Sequence, residues 1–181
     1  MGKEFTAEEM RIRDIIIEWA KEKAEQGEIE FNKGYTGEVH ICYRTNKIKE
    51  LMQEKSAENY NRNRFRIIYW NKPEPPYHYV YEIGVDSKEN KLYLQLVFNF
   101  DSISDITKGI CEQIYNNFRD YPRKDDLKKS YRRVRYYKTS IEINEKKESI
   151  MLKLDQLFDQ MKGYEAFIIN KLKDTDQASP Q

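Results

Sequence analysis

The apolar positions follow a helical period at both ends of the chain. Thr6 and Glu9 stand three residues apart, as the two members of a capping box do, and apolar residues then recur every three or four positions until Gly27. Towards the other end, a stripe of the same period extends over about six turns. We therefore expect an N-terminal helix and a long C-terminal helix. The C-terminal stripe comprises Ile150, Met151, Leu154, Leu157, Phe158, Met161, Ile168 and Leu172.

Alternating apolar and polar positions, typical of half-buried strands, occupy much of the remaining chain. They occur at residues 38–44, 64–70, 77–83 and 91–100, and Thr139, Ile141 and Ile143 indicate a last strand. The short polar connector 84–90 predicts a β-hairpin between two of these strands. A middle helix is predicted by the apolar spacing of Ile103, Ile106, Ile110, Ile114 and Phe118.

Together these elements predict an α+β fold. We expect an antiparallel sheet of about four to five strands, packed against an N-terminal helix, a middle helix and a long C-terminal helix. A chain of 181 residues has the length of one ordinary domain. Residues 1–173 are therefore predicted to form a single α+β domain, with 174–181 as a disordered tail.

Composition limits the classes of function. Charged residues make up 35% of the chain, but 32 basic residues against 31 acidic ones leave a net charge of only +1, so any electrostatic function must be local. The chain has two cysteines and no apolar run of membrane-spanning length, which predicts a cytoplasmic protein without a membrane partner. The abundance of Lys, Ile, Asn, Tyr and Glu favours a bacterial or phage origin.

Metal and nucleophile chemistry has little support in the sequence. His40 and Cys42 lie two apart on one face of a predicted strand and could form half of a zinc site. The second half is missing, because His78 and Cys111 lack the paired spacing of such sites. No third residue is identifiable that would orient a Cys-His nucleophile. We therefore predict no metal and no cofactor.

Metal-dependent nucleases of the PD-(D/E)xK class use an acid followed two residues later by a lysine. Four such triplets occur, about as many as chance gives in a chain this charged. With no phosphate-binding glycine loop either, we predict no catalytic residue and a binding protein rather than an enzyme. The triplets begin at Asp86, Glu89, Asp126 and Glu145 and end at Lys88, Lys91, Lys128 and Lys147.

Residues 119–138 form a basic, tyrosine-rich segment. Nine basic residues against three acidic ones give it a net charge of +6, which leaves −5 for the rest of the chain. Basic side chains can neutralise phosphates while tyrosines offer faces for stacking, although the same pattern also fits a solvated strand face. On a regular strand Tyr131, Arg133 and Arg135 would share one face. The predicted binding residues are Arg123, Lys124, Lys128, Lys129, Tyr131, Arg132, Arg133 and Arg135, with Arg64 and Arg66 from a second basic cluster.

The order of elements resembles a known family. Residues 79–83 read Tyr-Val-Tyr-Glu-Ile and residues 91–96 read Lys-Leu-Tyr-Leu-Gln-Leu, followed by a helix and a closing amphipathic helix. This arrangement, over roughly residues 37–172, resembles a small α+β domain associated with bacterial PD-(D/E)xK-type nuclease and defence-system proteins. The resemblance implies an accessory or recognition module linked to nucleic-acid or defence biology.

Three hypotheses for function remain. The first is a non-enzymatic binding module that recognises nucleic acid, or a nucleic-acid-handling protein, through the basic, tyrosine-rich surface. The second is a phage or mobile-element inhibitor of a host defence enzyme that acts by protein binding, and the third is a metal-dependent nuclease. The sequence leaves the oligomeric state open.

Overall fold

A computed structural model describes residues 4–32, 40–45, 47, 79–99, 112, 115–119 and 131–177. The predicted strand 64–70 and four of the five apolar positions of the predicted middle helix lie outside these residues. Residues 115–118 are helical, and the buried side chain of Tyr115 belongs to the core. Phe118, the fifth of those positions, lies edge-on to Phe167, with ring centroids 5.3 Å apart.

The N-terminal helix α1 (Ala7–Glu25) forms as its sequence predicts. The Thr6 amide donates to Glu9 Oε2 at 2.7 Å, and the Glu9 amide donates to Thr6 Oγ1 at 3.1 Å, which completes the capping box. Gly27 follows the helix with a φ of +74°, a conformation that glycine adopts without a steric cost. Both predicted ends of the helix are therefore confirmed.

In the described part of the chain, five antiparallel strands form one sheet in which the order of the strands follows the order of the chain, as predicted for an α+β fold. Each strand therefore pairs with its neighbour in the sequence. The strands are β1 (Ile29–Asn32), β2 (His40–Thr45), β3 (Tyr79–Asp86), β4 (Lys91–Asn99) and β5 (Tyr131–Ser140).

The predicted hairpin joins β3 to β4. Asp86 pairs with Lys91, and Asp86 Oδ1 accepts hydrogen bonds from the amides of Lys88 and Glu89 at 3.0 and 3.2 Å. Asn90 adopts a φ of 50°, which asparagine tolerates better than most residues. The connector is thus held by the turn chemistry that its residue types predict.

The last strand lies earlier in the chain than the alternation of Thr139, Ile141 and Ile143 predicts. Strand β5 is formed by the second half of the basic segment and pairs along the whole length of β4, from Lys91 opposite Ser140 onwards. Ile141 is buried just beyond the strand, whereas Ile143 is 72% exposed in the turn that follows. The prediction was wrong because the register is set by the partner strand rather than by local alternation.

The C-terminal helix α2 (Lys147–Gln177) packs with α1 on one face of the sheet. At the centre of this core the Phe158 ring lies edge-on to Trp19, with centroids 5.4 Å apart, and Trp19 Nε1 donates to Asp155 at 2.9 Å. The helix continues to Gln177, four residues beyond the predicted end of the domain at 173. Residues 178–181 of the predicted tail lie outside the described residues. No helix in the described part of the chain has the length and apolar character needed to cross a membrane. The helix contributes the buried residues Ile150, Leu154, Leu157, Phe158, Met161 and Ile168.

The carboxylate of Glu165 lies between the C-terminal helix and the sheet. Glu165 of α2 is 4% exposed and accepts hydrogen bonds from the hydroxyls of Thr45 and Tyr81, the latter at 2.6 Å. Burial raises the pKa of Glu165, although both hydrogen bonds act in the opposite direction. The contacts tie the helix to two neighbouring strands, so Glu165 has a structural role.

Candidate functional site

The strand register divides the sheet into two faces. Ile41, Tyr81 and Leu96 belong to the face that packs against α1 and α2. The residues at the alternate positions are mostly polar and form the opposite side, here called the polar face. Its members are Glu30, His40, Cys42, Arg44, Glu82, Tyr93, Gln95, Arg133, Tyr136 and Lys138.

A β-bulge separates the two arginines that sequence alternation places together. Arg133 pairs with Val97 and Arg135 pairs with Leu96, so Val134 is an extra residue in β5. Such an insertion reverses the alternation of faces at that point. The prediction that Arg133 and Arg135 share one face is therefore wrong, because it assumed a regular strand.

The contacts of the two arginines show that they lie on opposite faces of the sheet. Arg133 is on the polar face, where its Nε donates to Gln95 Oε1 at 2.8 Å. Arg135 is on the helix side: its guanidinium carbon lies 4.7 Å from the ring centroid of Tyr164 in α2, and its Nε donates to the Tyr137 hydroxyl at 3.1 Å. Arg133 thus lies partly exposed on the polar face, whereas Arg135 packs between the sheet and a helix.

Two tyrosines accompany Arg133 on the polar face. The rings of Tyr93 and Tyr136 stack with centroids 6.0 Å apart and an interplanar angle of 23°. The Arg133 guanidinium carbon lies 4.4 Å from the centroid of the Tyr136 ring. Burial raises the pKa of both tyrosines, so both hydroxyls are neutral donors at physiological pH.

The hairpin end of this face carries two lysines around one carboxylate. Glu89 Oε2 lies 2.8 Å from Lys91 Nζ and 3.5 Å from Lys138 Nζ. The hydrogen bond from Lys91, aided by the charge of Lys138, lowers the pKa of Glu89. The acid and the lysine of this nuclease-like triplet therefore pair with each other at the hairpin, with Glu89 in the turn and Lys91 at the start of β4.

The triplet that begins at Glu145 also has structural partners. Lys153 Nζ lies 2.5 Å from Glu145, and Lys147 pairs with Glu18 of α1. The triplet that begins at Asp86 lies in the hairpin turn, and the one that begins at Asp126 lies outside the described residues. In the part of the chain that the structure describes, no triplet has the core-strand position that the nuclease mechanism uses.

The structure also places a third potential metal ligand, Glu82, beside the pair of His40 and Cys42, and the sequence analysis missed this residue. Glu82 of β3 pairs with Cys42 of β2, and His40 lies two residues away on the same face. The ligand atoms of these three side chains all lie within 4.8 Å of one another. Glu82 occupies a polar position of its strand, but only the register between β2 and β3 reveals that it lies beside Cys42.

The other predicted binding residues have a mixed outcome. Tyr131 and Arg132 belong to β5 and pair with Asn99 and Phe98, but their side chains are outside what the structure describes. The outer part of the predicted surface is therefore known from the sequence alone. Outside the described residues lie Arg64, Arg66, Arg123, Lys124, Lys128 and Lys129.

Comparison with known proteins returned no matching family model, no matching curated protein and no matching solved structure. None of the comparisons links the chain to nuclease or defence-system families. The resemblance to a nuclease-associated domain therefore stays a prediction.

Proposed function

We propose that the protein is a binding module that recognises nucleic acid through the β5 side of the polar face. The observation that carries this proposal is the placement of Arg133 beside Tyr136 and Tyr93, on the side of the sheet opposite α1 and α2. The proposal keeps the first hypothesis from the sequence but assigns recognition to fewer residues, with Arg133 and the two tyrosines at its centre.

The geometry supports recognition of phosphate. Gln95 and the Tyr136 ring hold the Arg133 guanidinium in place, which reduces the conformational entropy that binding would cost. A guanidinium presents a planar fork of donors that matches the oxygens of a phosphate. Lys138, at the hairpin end of the same strand, is 47% exposed and adds a second cation along the path of a bound strand.

The bulge provides a matched pair of variants for the test. Arg133→Ala should weaken the binding of fluorescent single-stranded and duplex oligonucleotides similarly across sequences. It should also reduce the slope of log K against log salt concentration by about one, the value of one lost phosphate contact. Arg135→Ala removes an equal charge two residues away, but on the helix side, and should leave binding and slope unchanged.

Circular dichroism and thermal unfolding provide the control for both variants. We expect Arg135→Ala to lower the unfolding midpoint, because Arg135 packs on Tyr164, and Arg133→Ala to change it less. The proposal is refuted if wild-type protein shows no salt-dependent binding. It is also refuted if folded Arg135→Ala loses binding while Arg133→Ala retains it.

The same assays separate the two other hypotheses. Capture of a host protein without any affinity for nucleic acid would favour the inhibitor hypothesis. For the nuclease hypothesis, Glu89→Ala and Lys91→Ala can be assayed with magnesium or manganese. We expect neither substitution to change any activity, because the two residues pair with each other at the hairpin. Loss of a metal-dependent cleavage in both variants would make the triplet catalytic.

A further inference from the structure

We propose that His40, Cys42 and Glu82 bind one divalent transition-metal ion of the zinc class. The three side chains supply nitrogen, sulfur and oxygen, the three donor types found in protein zinc sites. His40 and Cys42 come from β2 and Glu82 comes from β3, so the hydrogen-bonded register of a sheet, rather than a loop, fixes their relative positions.

The distances fit a site that closes around a small ion. The ligand atoms lie within 4.8 Å of one another. In a tetrahedral zinc site with metal-ligand bonds of about 2.0–2.3 Å, neighbouring ligand atoms are about 3.3–3.8 Å apart. Contraction by about 1 Å, within the reach of small side-chain rotations, would bring the three donors into that range.

Burial and charge also favour a cation. Cys42 is fully buried and Glu82 is 9% exposed, so a thiolate and a carboxylate here would be two negative charges with little solvent. A divalent ion would balance the charges of the thiolate and the carboxylate, which would offset the cost of burying the two anions. A metal ion that replaces the protons of a buried acid and thiol would therefore stabilise their charged forms.

A chain of hydrogen bonds orients the carboxylate. Gln95 Nε2 donates to Glu82 Oε2 at 2.5 Å, and Gln95 Oε1 accepts from Arg133 Nε at 2.8 Å. The arginine thereby fixes which end of the Gln95 amide points at Glu82. Outer hydrogen bonds of this kind hold metal ligands in place and contribute to metal affinity.

Gly84 of β3 leaves space for the side chains of His40 and Tyr93. It pairs with His40 across the strands, and a Cβ at this position would lie 2.8 Å from His40 Cβ and 2.9 Å from the Tyr93 hydroxyl. Only a residue without a side chain allows those two groups to approach here. Gln95 and Arg133 thus hold Glu82 in place, and Gly84 leaves the space that His40 and Tyr93 occupy.

The three ligands found among the described residues occupy three of the four tetrahedral positions, which leaves one for water or a further ligand. A nucleophilic pair of Cys42 and His40 is the competing reading of the same side chains. A nucleophile must reach its substrate, however, and Cys42 has no exposed surface. The metal reading requires only that the three donors reach a common point.

Cobalt titration of the full chain, after removal of metal with a chelator, provides the test. We expect one equivalent of Co²⁺ to bind, with a thiolate-to-cobalt charge-transfer band in the near ultraviolet and tetrahedral bands in the visible. Zn²⁺ should displace it, and should raise the thermal midpoint of wild-type protein. Cys42→Ser should remove the charge-transfer band, and Glu82→Gln should lower the affinity by at least about 100-fold.

The second cysteine and second histidine of the chain serve as controls. Cys111→Ser and His78→Gln should retain both the band and the affinity. The proposal is overturned if wild-type protein gives no charge-transfer band, or if the band depends on Cys111 instead of Cys42. Should Cys42→Ser fail to fold, the near-isosteric Glu82→Gln decides, because unchanged Co²⁺ affinity in that folded variant would also overturn it.

Discussion

The Glu145 carboxylate stabilises the turn before α2, and we expect its protonation in acid to lower the free energy of unfolding. Its carboxylate accepts hydrogen bonds from Lys153, from the Ser149 hydroxyl and from the Glu142 amide, the last at 2.8 Å. Partial burial alone would raise the pKa of Glu145. The three hydrogen bonds outweigh it and lower the pKa from 4.5 to about 2.

The sign and size of the effect follow from this shift. Because the folded state holds the proton less tightly than the unfolded state, the stabilisation is complete above pH 4.5 and is lost as the pH falls towards about 2. One pKa unit corresponds to about 1.4 kcal/mol, so the charged form of Glu145 contributes at most about 3 kcal/mol. The side chain is only 9% exposed, which limits solvent screening.

Urea unfolding across this pH range tests the prediction. Wild-type protein should lose up to about 3 kcal/mol more than Glu145→Gln between neutral pH and about pH 2, because the variant has no charge to lose. Glu142→Gln is the matched control, since it removes an exposed carboxylate of the same turn and keeps the amide that bonds to Glu145. Parallel pH profiles for wild type and Glu145→Gln would refute the reasoning.

Two further predictions concern packing. Leu157→Asp should cost more than about 4 kcal/mol or prevent folding, because it buries an unpaired carboxylate, whereas Leu152→Asp on the exposed side of the same helix should change the free energy of unfolding by about 0.5 kcal/mol or less. Equal urea midpoints for the two variants would contradict the assignment of the buried stripe. Gly84→Ala should cost about 1–3 kcal/mol, since its Cβ would collide with His40 and Tyr93. Calorimetry that shows an unchanged or higher thermal midpoint would contradict this packing.

Much of the fold could be predicted because its signals are local. The capping pair Thr6 and Glu9 lies within one turn, and the stripe around Leu157 and Phe158 repeats within one helix. The hairpin from Asp86 to Asn90 likewise needs no information from elsewhere in the chain. Each of these elements formed where its residues predict it.

The rest depends on partners distant in the sequence. The bulge at Val134 exists only relative to β4, so the separation of Arg133 from Arg135 cannot be read from their spacing. Glu82 joins Cys42 only through the register of two strands that lie far apart along the chain. The basic segment of β5 was predicted as a binding surface, but local alternation could not show which of its arginines faces a helix.

The contact between the two long helices has a consequence for how the chain folds. Trp19 and Asp155 are hydrogen-bonded across 136 residues of sequence. Closing a loop of that length carries a large entropic cost. The cost is much smaller for the β3–β4 hairpin, because its turn has only four residues. During synthesis the part of α1 that packs on α2, which includes Trp19, therefore stays uncovered until α2 has left the ribosome. A chain halted before Phe158 would expose Trp19 and its neighbours and should aggregate or bind a chaperone.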